Sequence, residues 1–531
     1  MVPPGADGAE ENRYFFGLAF LLVVQWCGKE KSMSLFAGID CGTQSTKVVV
    51  YDTETKSIVA QGSHAYPLVS RDDGSREQEA AWFTDAVVDC FNQIDLPVRR
   101  KVKGIGVSGQ QHGFVPLDKD GNVIAPVKLW CDTSTVAECD RLAEKVGGAE
   151  QAIALVGNQF KTGFTVGKVY AMKLRHPDLW ARLAHILLPH DWLNYWLTGR
   201  YVMERGDASG TAMFDIVHLC WSRPVLEAID PSADWDCLLP ELVSDNEVIG
   251  TVRPDLAREL GLSSSVIVSA GGGDNMMAAI GTGCVEKGAM TVSMGTSGTV
   301  FAYSDAPIAD ETGALSGFCS SNNGYLPLMC TMNCTIATEQ IRSLFGMTIA
   351  ELNSLAGSEA IGSQGVSVLP YFNGERTPDF PYGKAVFAGF DTTNCSKATL
   401  ARAAMESAVF SLMDGVDAFR AKAMVPSRIL LTGGGAKSPL WRQMVSDVFG
   451  VPVSISTIGE SAALGGALQA LWASGEEGDD LAAICKRHVA LDSASGCVPD
   501  PDAAKAYQAA LQRFRSYQTA LAPLFRYKGK P

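Results

Sequence analysis

A glycine- and hydroxyl-rich turn close to the start of the chain has the residue types that bind phosphate. Residues 40–47 read DCGTQSTK, so the turn can aim backbone N–H groups and hydroxyls at anionic oxygens while Lys47 supplies positive charge. Asp40 ends the preceding apolar segment, where a carboxylate can hold Mg²⁺ through water. We therefore predict a metal contact from Asp40 and phosphate contacts from Thr43, Gln44, Ser45 and Lys47.

Two further glycine-rich segments suit the rest of a nucleotide. Residues 295–299, GTSGT, offer a second set of amides and hydroxyls, and we predict contacts from Gly295, Thr296 and Ser297. An apolar run at 429–432 leads into three glycines and then Ser438-Pro439, a pattern typical of a helix N-cap and the first helical residue. A flat adenine and its ribose can settle there, with contacts from Gly434, Gly435, Lys437 and Ser438. Each segment alone is compatible with an ordinary turn, but three in one chain favour a nucleotide site.

A fourth glycine-rich segment carries the candidate catalytic base. Residues 266–270, VIVSA, predict a buried strand, and GGGDN follows at 271–275 ahead of a helical stretch. Asp274 should therefore lie at a helix start, where the helix dipole favours an ionised carboxylate. Such an acid can accept the proton of a substrate hydroxyl as its oxygen attacks a γ-phosphate, and we also expect it to contact the metal beside Asp40. The simpler alternative is a helix cap.

A candidate sugar site lies in the segment SGQQHG at 108–113. Neutral His112 can both donate and accept a hydrogen bond, which suits sugar hydroxyls, and Gln111 lies beside it. Residues 130–132, Trp-Cys-Asp, follow a strand-like segment and are candidates to line the same cleft. The other histidines, among them His190 before Asp191, are predicted to be loop or cap residues.

Two familiar nucleotide patterns are not satisfied. The Walker pattern G-x4-G-K-[ST] is absent. A G-x-G-x-x-G occurs at Gly104, Gly106 and Gly109, but another glycine and a proline follow where a dinucleotide-binding helix would begin. The sequence therefore disfavours both a P-loop nucleotidase and a dinucleotide-binding fold.

These segments need a framework that brings them together. Beyond the first 32 residues, strand-like and helix-like stretches alternate, which predicts an α/β fold. Phe36–Asp40 and Lys47–Tyr51 flank the first phosphate turn, and Thr291–Met294 and Thr299–Tyr303 flank the second turn about 250 residues later. Because similar hairpins open both halves, we predict two similar domains facing each other across a cleft, with a hinge near 283–290.

Composition excludes several classes of protein. The 531 residues include 44 Lys and Arg against 58 Asp and Glu, and the net charge of −14 argues against a nucleic-acid partner. Hydrophobic residues at 47% with charged residues at 19% fit a globular chain with large cores. The 14 cysteines contain no C-x-x-C pair, which favours a reduced, cytoplasmic protein over a disulfide framework or a zinc site.

The first 32 residues differ from the rest. The apolar run Tyr14–Cys27 is shorter than a membrane-spanning helix requires and lacks the flanks of a signal peptide. We predict an extension outside the fold at 1–32, with Met33 as the functional start, an N-terminal domain at 33–285 and a C-terminal domain at 286–531. A membrane-associating N-terminal segment is the alternative.

The motifs together resemble those of the FGGY carbohydrate kinases. The resemblance extends from about Met33 to the C-terminal helices and rests on the order of its blocks, DCGTQSTK, GQQHG, LWCDTS, TGFTVGK, GGGDN, GTSGT, LPYFNGERTP and LTGGGAKSPLWRQMVSDV. It implies two ribonuclease-H-like domains, as in the superfamily of sugar kinases, actin and heat-shock ATPases. It also implies ATP and Mg²⁺ in the cleft between them.

Within that family, the resemblance is greatest to members that phosphorylate D-xylulose to D-xylulose 5-phosphate. It implies that Gln111 and His112 contact the ketose, that Asp274 is the general base and that Asn275 contacts the substrate. Many such members have Met at the position of Gln111 and W-N-D-G-R in place of residues 130–134, WCDTS. Ribulose, gluconate or a polyol therefore stay open as substrates, and a non-catalytic actin-like nucleotide-binding module stays open as another class. We expect a small-molecule sugar and ATP as partners, no nucleic acid, no membrane and a possible homodimer.

Overall fold

The computed structural model describes residues 34–526. The extension predicted at 1–32 lies outside the described residues. Among residues 34–526, no helix combines the length and the apolar character that crossing a membrane requires.

A seven-stranded sheet forms the centre of the first half of the chain. Its strands are β1 Leu35–Cys41, β2 Ser45–Asp52, β3 Ser57–Ala65, β4 Val102–Gly109, β5 Val248–Thr251, β6 Ile267–Ser269 and β7 Gly272–Gly273. They lie in the order β5-β6-β4-β1-β2-β3, and β7 pairs with β4. The predicted hairpin is formed by β1 and β2, which place Asp40 opposite Lys47, while β4 runs parallel to β1.

A five-stranded sheet in the second half repeats this arrangement. Its strands are β8 Ala289–Met294, β9 Gly298–Ala302, β10 Leu328–Thr331, β11 Arg428–Thr432 and β12 Val453–Ser454, in the order β10-β9-β8-β11-β12. Strands β8, β9 and β10 are antiparallel like β1, β2 and β3, and β11 runs parallel to β8 as β4 does to β1. The α/β fold and the repeated hairpin predicted from the sequence are confirmed.

Helices cover both sheets. The longer helices, together with the short helix α6, are α1 Ala80–Asn92, α2 Val136–Val146, α3 Ala149–Val156, α4 Thr165–Arg175, α5 Pro189–Thr198, α6 Arg205–Ser209, α7 Asp274–Thr282, α8 Thr335–Leu344, α9 Ile349–Ser358, α10 Lys397–Ala421, α11 Pro439–Phe449, α12 Ser461–Ser474, α13 Leu481–His488 and α14 Pro501–Arg526. Shorter helices lie at Leu96–Arg99, Pro177–Trp180, Arg223–Ile229, Trp235–Leu238 and Pro254–Leu260. Short paired strands lie at Val69–Ser70, Arg76–Gln78, Val115–Leu117, Val127–Lys128, His185–Leu187, Val202–Glu204, Phe214–Asp215, Cys220–Trp221, Glu241–Val243, Ser367–Leu369 and Val386–Ala388.

Helix α12 belongs to the second half of the sequence but packs on the first sheet. It contacts β1, β4 and α7, and glycines allow its backbone to approach the backbone of the strands. A Cβ atom added at Gly38 would lie 1.7 Å from the carbonyl oxygen of Ala463, and one at Gly106 would lie 2.0 Å from that of Gly466. Helix α13 follows on the same side, where the hydroxyl of Tyr51 lies 3.0 Å from Nδ1 of His488. The domain bounds 33–285 and 286–531 stay a prediction. Helices α12 and α13 lie in the second half of the sequence but pack against elements of the first half.

Gly106→Ala is expected to lower the free energy of unfolding by about 3 kcal/mol, because a backbone oxygen already occupies the space of the new methyl group. Urea unfolding measures this loss. Gly459→Ala is the matched control, since its Cβ would meet no atom within 4 Å. Equal unfolding midpoints for the two variants would contradict the close contact between β4 and α12.

Candidate active site

A cavity of about 210 Å³ lies between the two sheets and is lined from both halves of the chain. The first half contributes Gln111, His112, Trp130, Lys161, Phe164, Asp274 and Asn275. The second half contributes Ser293, Gly295, Ser297, Thr299, Gly313, Ala314, Ser316, Phe318, Leu328, Cys330, Arg376 and Thr377. The residues predicted to contact sugar and the second phosphate turn therefore meet in one cavity.

Asp274 is the first residue of α7 and lies at the cavity wall. Its Oδ1 accepts hydrogen bonds from the backbone N–H and the side-chain amide of Asn275, at 2.8 and 2.9 Å. Burial, and then the negative charge of Asp40, raise the pKa of Asp274 to about 7. The helix start does not hold the pKa of this carboxylate low, because burial and the like charge of Asp40 act in the opposite direction. An acid whose pKa lies near neutrality is suited to accept a proton.

The turn before Asp274 is fixed by a residue from the other end of the sequence. Gln469 on α12 is fully buried, and its Oε1 accepts hydrogen bonds from the hydroxyl of Ser269 at 2.9 Å and the backbone N–H of Gly271 at 2.8 Å. Its Nε2 donates to the carbonyl oxygen of Gly271 at 2.8 Å. Gly273 leaves no room for a side chain, since a Cβ there would lie 2.6 Å from Cγ of Gln111. These contacts fix where α7, and hence Asp274, begins.

His112 is held in a strained backbone conformation with a defined ring orientation. Its φ is 64°, and Nδ1 lies 2.6 Å from the carbonyl oxygen of Gly210. Burial, together with the cations of Lys168 and Arg376, lowers the pKa of His112 to about 3, so the ring is neutral. Because Nδ1 must carry the proton that it donates to a carbonyl, Nε2 is left as an acceptor.

Lys168 holds the backbone of His112 in place by a hydrogen bond to its carbonyl oxygen. This buried residue on α4 donates from Nζ to the carbonyl oxygens of His112 at 2.5 Å and Gly163 at 2.7 Å. Burial lowers the pKa of Lys168 to about 7. The hydrogen bonds to two carbonyls compensate for part of the cost of burying the amine.

Gln111 and Asn275 link the two halves at the cavity. Nδ2 of Asn275 donates to Oε1 of Gln111 at 2.8 Å, and the hydroxyl of Thr299 donates to Oδ1 of Asn275 at 3.3 Å. Nε2 of Gln111 is buried and has no hydrogen-bond partner. This orphaned donor is therefore available to a ligand in the cavity.

The first phosphate turn has its predicted geometry, but two of its side chains are already engaged. Lys47 pairs with Glu460, the residue that precedes α12, with Nζ and Oε2 2.7 Å apart. Both side chains are more than a third exposed, so the pair contributes little to stability. The hydroxyl of Thr43 donates to Oε1 of Gln110 at 3.1 Å. Gln44 is exposed, and Ser45 opens β2.

The second turn lies beside the start of a helix. Backbone N–H groups of Cys334 and Thr335, where α8 begins, donate to the carbonyl oxygens of Thr296 at 2.9 Å and Gly295 at 3.0 Å. Gly295 and Ser297 line the cavity, and Thr296 is not among its lining residues.

The segment predicted to bind adenosine has the expected strand, glycines and capped helix. Ser438 is the N-cap of α11, accepting from the backbone N–H of Trp441, and Pro439 is the first helical residue. Gly434 and Lys437 are exposed, whereas Gly435 is buried against Met294. These residues do not line the cavity, so any adenosine contact falls outside it.

Three buried ionisable residues, His190, Asp191 and Asp207, form a cluster close to the site, here called the His190 cluster. His190 on α5 was predicted to be a loop or cap residue, but it is fully buried between Asp191 and Asp207. Its Nδ1 lies 2.6 Å from Oδ2 of Asp207, and its Nε2 lies 3.0 Å from Oδ1 of Asp191. Burial alone would lower the pKa of His190, but the two carboxylates outweigh it and raise the pKa to about 9. Asp207 lies on α6, three residues before the Gly210 carbonyl that orients His112.

Sequence reasoning missed Lys168, Gln469, Glu460 and the His190 cluster. Lys168 is within TGFTVGK, a segment singled out only for resemblance, and a lysine there gives no sign that it points inward. Gln469 lies about 200 residues from its partners, in a stretch of small apolar residues that suggested only packing. The one available signal was that a polar residue interrupts an otherwise apolar helix.

Comparison with known families accounts for most of the chain. Residues 35–281 match the N-terminal domain of the FGGY family of carbohydrate kinases, and residues 290–474 match its C-terminal domain. The chain belongs to the FGGY family of carbohydrate kinases. The gap between the two matches, 282–289, overlaps the predicted hinge. The resemblance drawn from the motifs is therefore confirmed.

Relatives of this FGGY kinase match over nearly the whole chain. A xylulose kinase from Haemophilus influenzae is 43% identical over 92% of this chain and 100% of its own length. Two solved structures from Lactobacillus acidophilus, each 25% identical, cover 93% of this chain and 99% of their own. They are a gluconate kinase with a TM-score of 0.86 and a ligand-bound xylulose kinase with a TM-score of 0.85. The two-domain α/β fold of sugar kinases is thus confirmed, and the two neighbours differ in the substrate that they are named for.

Proposed function

We propose that this FGGY kinase transfers the γ-phosphoryl group of ATP to the C5 hydroxyl of D-xylulose, giving D-xylulose 5-phosphate and ADP. The observation that carries the proposal is that Asp274, Gln111, His112 and Asn275 line one cavity with the Gly295–Thr299 turn. The 43% identity with a xylulose kinase supports the choice of sugar over the alternatives.

Three side chains that line the cavity, those of Gln111, His112 and Asp274, each keep a polar group free for the sugar. Nε2 of Gln111 can donate to a ketose carbonyl oxygen, and Nε2 of His112 can accept from a hydroxyl. Oδ1 of Asp274 is occupied by Asn275, which leaves Oδ2 for the attacking hydroxyl. The proton moves to Oδ2 as the hydroxyl oxygen bonds to the γ-phosphorus, and the bond from that phosphorus to the bridging oxygen of ADP breaks.

The carboxylates of Asp40 and Asp274 fit a hard divalent cation. Burial raises the pKa of both carboxylates, and the negative charge of Asp40 raises the pKa of Asp274 further. Ser108 orients Asp40 by donating to its Oδ1 at 2.9 Å. A cation between such oxygens relieves their repulsion, and Mg²⁺ prefers oxygen ligands of this kind. When bound, it would neutralise charge on the transferring phosphate. Lys47 and the amides of both turns would then hold the remaining phosphate oxygens, and Gly434, Lys437 and Ser438 would lie against adenosine.

The test is ADP release measured with a panel of D-xylulose, D-ribulose, L-ribulose, gluconate and glycerol. We expect the highest kcat/KM with D-xylulose, by about tenfold or more over each other sugar. A larger value with another member of the panel would overturn the choice of substrate while keeping the kinase chemistry. ATP hydrolysis without any response to sugar would indicate a nucleotide-binding module instead.

A further inference from the structure

A hydrogen bond joins the wall of the sugar cavity to the first phosphate turn. Trp130 lines the cavity beside Gln111 and His112. Its indole Nε1 donates to Oγ1 of Thr43 at 2.9 Å. Thr43 is in the DCGTQSTK turn, so a single contact connects two sites that bind different substrates.

Thr43 is also part of a closed ring of hydrogen bonds beneath the turn. Its hydroxyl donates to Oε1 of Gln110 at 3.1 Å, and Nε2 of Gln110 donates to Oε1 of Gln78 at 3.0 Å. Nε2 of Gln78 returns to the carbonyl oxygen of Thr43 at 2.8 Å and to that of Pro67 at 3.0 Å. Both glutamines are fully buried. Because any broken bond in this buried network leaves an unpaired polar group, the turn and the side chains that hold it are expected to move together.

The loop that carries Trp130 is held by hydrogen bonds to Asp132, which does not line the cavity. Asp132 is fully buried, and its carboxylate accepts from the backbone N–H of Arg76 at 2.9 Å and from the N–H and hydroxyl of Ser134 at 2.9 and 2.7 Å. Asp132 therefore stabilises the loop and does not face the sugar. Of the Trp-Cys-Asp segment predicted to line the cleft, Trp130 is the residue that does so.

We infer that Trp130 and Thr43 are positioning residues that couple sugar binding to nucleotide binding. The inference rests on the proposed function, since it needs a sugar against Trp130 and a phosphate at the turn. A sugar that packs on the indole fixes the direction of its N–H. The N–H then holds the Thr43 hydroxyl towards Gln110, and the backbone of the turn is kept in its phosphate-binding form. The same contact acts in reverse, because coupling between two binding sites is reciprocal.

The test measures the Kd of Mg·ADP by calorimetry with and without saturating D-xylulose. In the unmodified protein, the sugar is expected to lower this Kd by about fivefold or more. In Trp130→Phe, which keeps a ring but loses the N–H, and in Thr43→Val, the ratio is expected to fall to about twofold or less. Thr43→Ser, which keeps the hydroxyl, is expected to restore it. A structural defect alone would weaken binding with and without sugar alike and leave the ratio unchanged.

Trp192→Phe is the matched control. Its indole N–H also donates to an oxygen, the carbonyl of Ala80 at 3.2 Å, but Trp192 does not line the cavity. Its ratio should equal that of the unmodified protein. Ratios in Trp130→Phe and Thr43→Val equal to the control, or no sugar effect in an unmodified protein that phosphorylates D-xylulose, would overturn the inference. If the panel identifies another sugar, the proposed substrate fails separately, and the ratio is measured with that sugar.

Discussion

Asp274→Asn is expected to lower kcat with the best sugar by about 10²- to 10⁴-fold, the range that a general base contributes. The amide has nearly the same shape and keeps an oxygen for the two hydrogen bonds from Asn275, but it cannot take a proton. Folding should not suffer. The raised pKa of Asp274 means that its charged form costs stability above its ordinary pKa, so a neutral side chain is at least as stable at pH 7.

The measurement is ADP release at saturating sugar, with thermal unfolding of the same samples. Asp255→Asn is the control, since Asp255 is also in the first turn of a helix but is exposed and pairs with Arg253. It should keep full turnover. A kcat for Asp274→Asn within tenfold of the unmodified protein would refute the assignment of the base.

His190→Ala is expected to lower the free energy of unfolding by about 3–5 kcal/mol, because it leaves two buried carboxylates without their cation. His64→Ala is the matched control. His64 makes the same kind of contact, with Nδ1 3.0 Å from Oδ2 of Asp89, but both side chains are about half exposed. That exposed pair is worth about 0–1 kcal/mol. Denaturant unfolding of both variants gives the comparison, and a loss of under 1 kcal/mol for His190→Ala would contradict the ion-pair geometry.

The ion pairs of His190 also lead to a prediction about pH. The pKa of His190 is raised to about 9 in the folded protein, so the stabilisation is fully present below the ordinary value of 6.5. It is lost as pH rises through about 9. Since burial also raises the pKa of Asp191, to about 7, the unfolding free energy of the unmodified protein, measured by denaturant unfolding at pH 6.5 and pH 9, should fall as the pH rises.

The sequence was sufficient where a function depends on local pattern. Alternating apolar residues around glycine turns located both hairpins, and the strand-glycine-helix pattern located Asp274 and the Ser438 cap. Contacts between distant segments could not be found in this way. The engagement of Thr43 by Trp130 joins residues 87 positions apart, and the Gln469 contact spans about 200.

The pKa of a buried group also could not be predicted from the sequence, because it depends on burial and on which charges lie nearby. A helix start favours an ionised acid, yet Asp274 is buried next to Asp40 and its pKa rises. His190 has no sequence signal because its partners come from its own helix and from α6. The individual contacts to ATP, the sugar and Mg²⁺ stay predictions, as do the homodimer and the cytoplasmic location.

The return of helix α12 to the first sheet has a consequence for how the chain is made. Strands β1 and β4 and helix α7 are complete once residue 282 has left the ribosome, but the helix that covers them begins at Ser461. About 180 residues separate these points, which at ordinary translation speeds corresponds to roughly 10 to 40 s. During that interval the glycine-bearing face of the sheet has no native partner. We therefore expect a fragment that ends near residue 285 to aggregate when it is expressed alone, which its soluble fraction would measure.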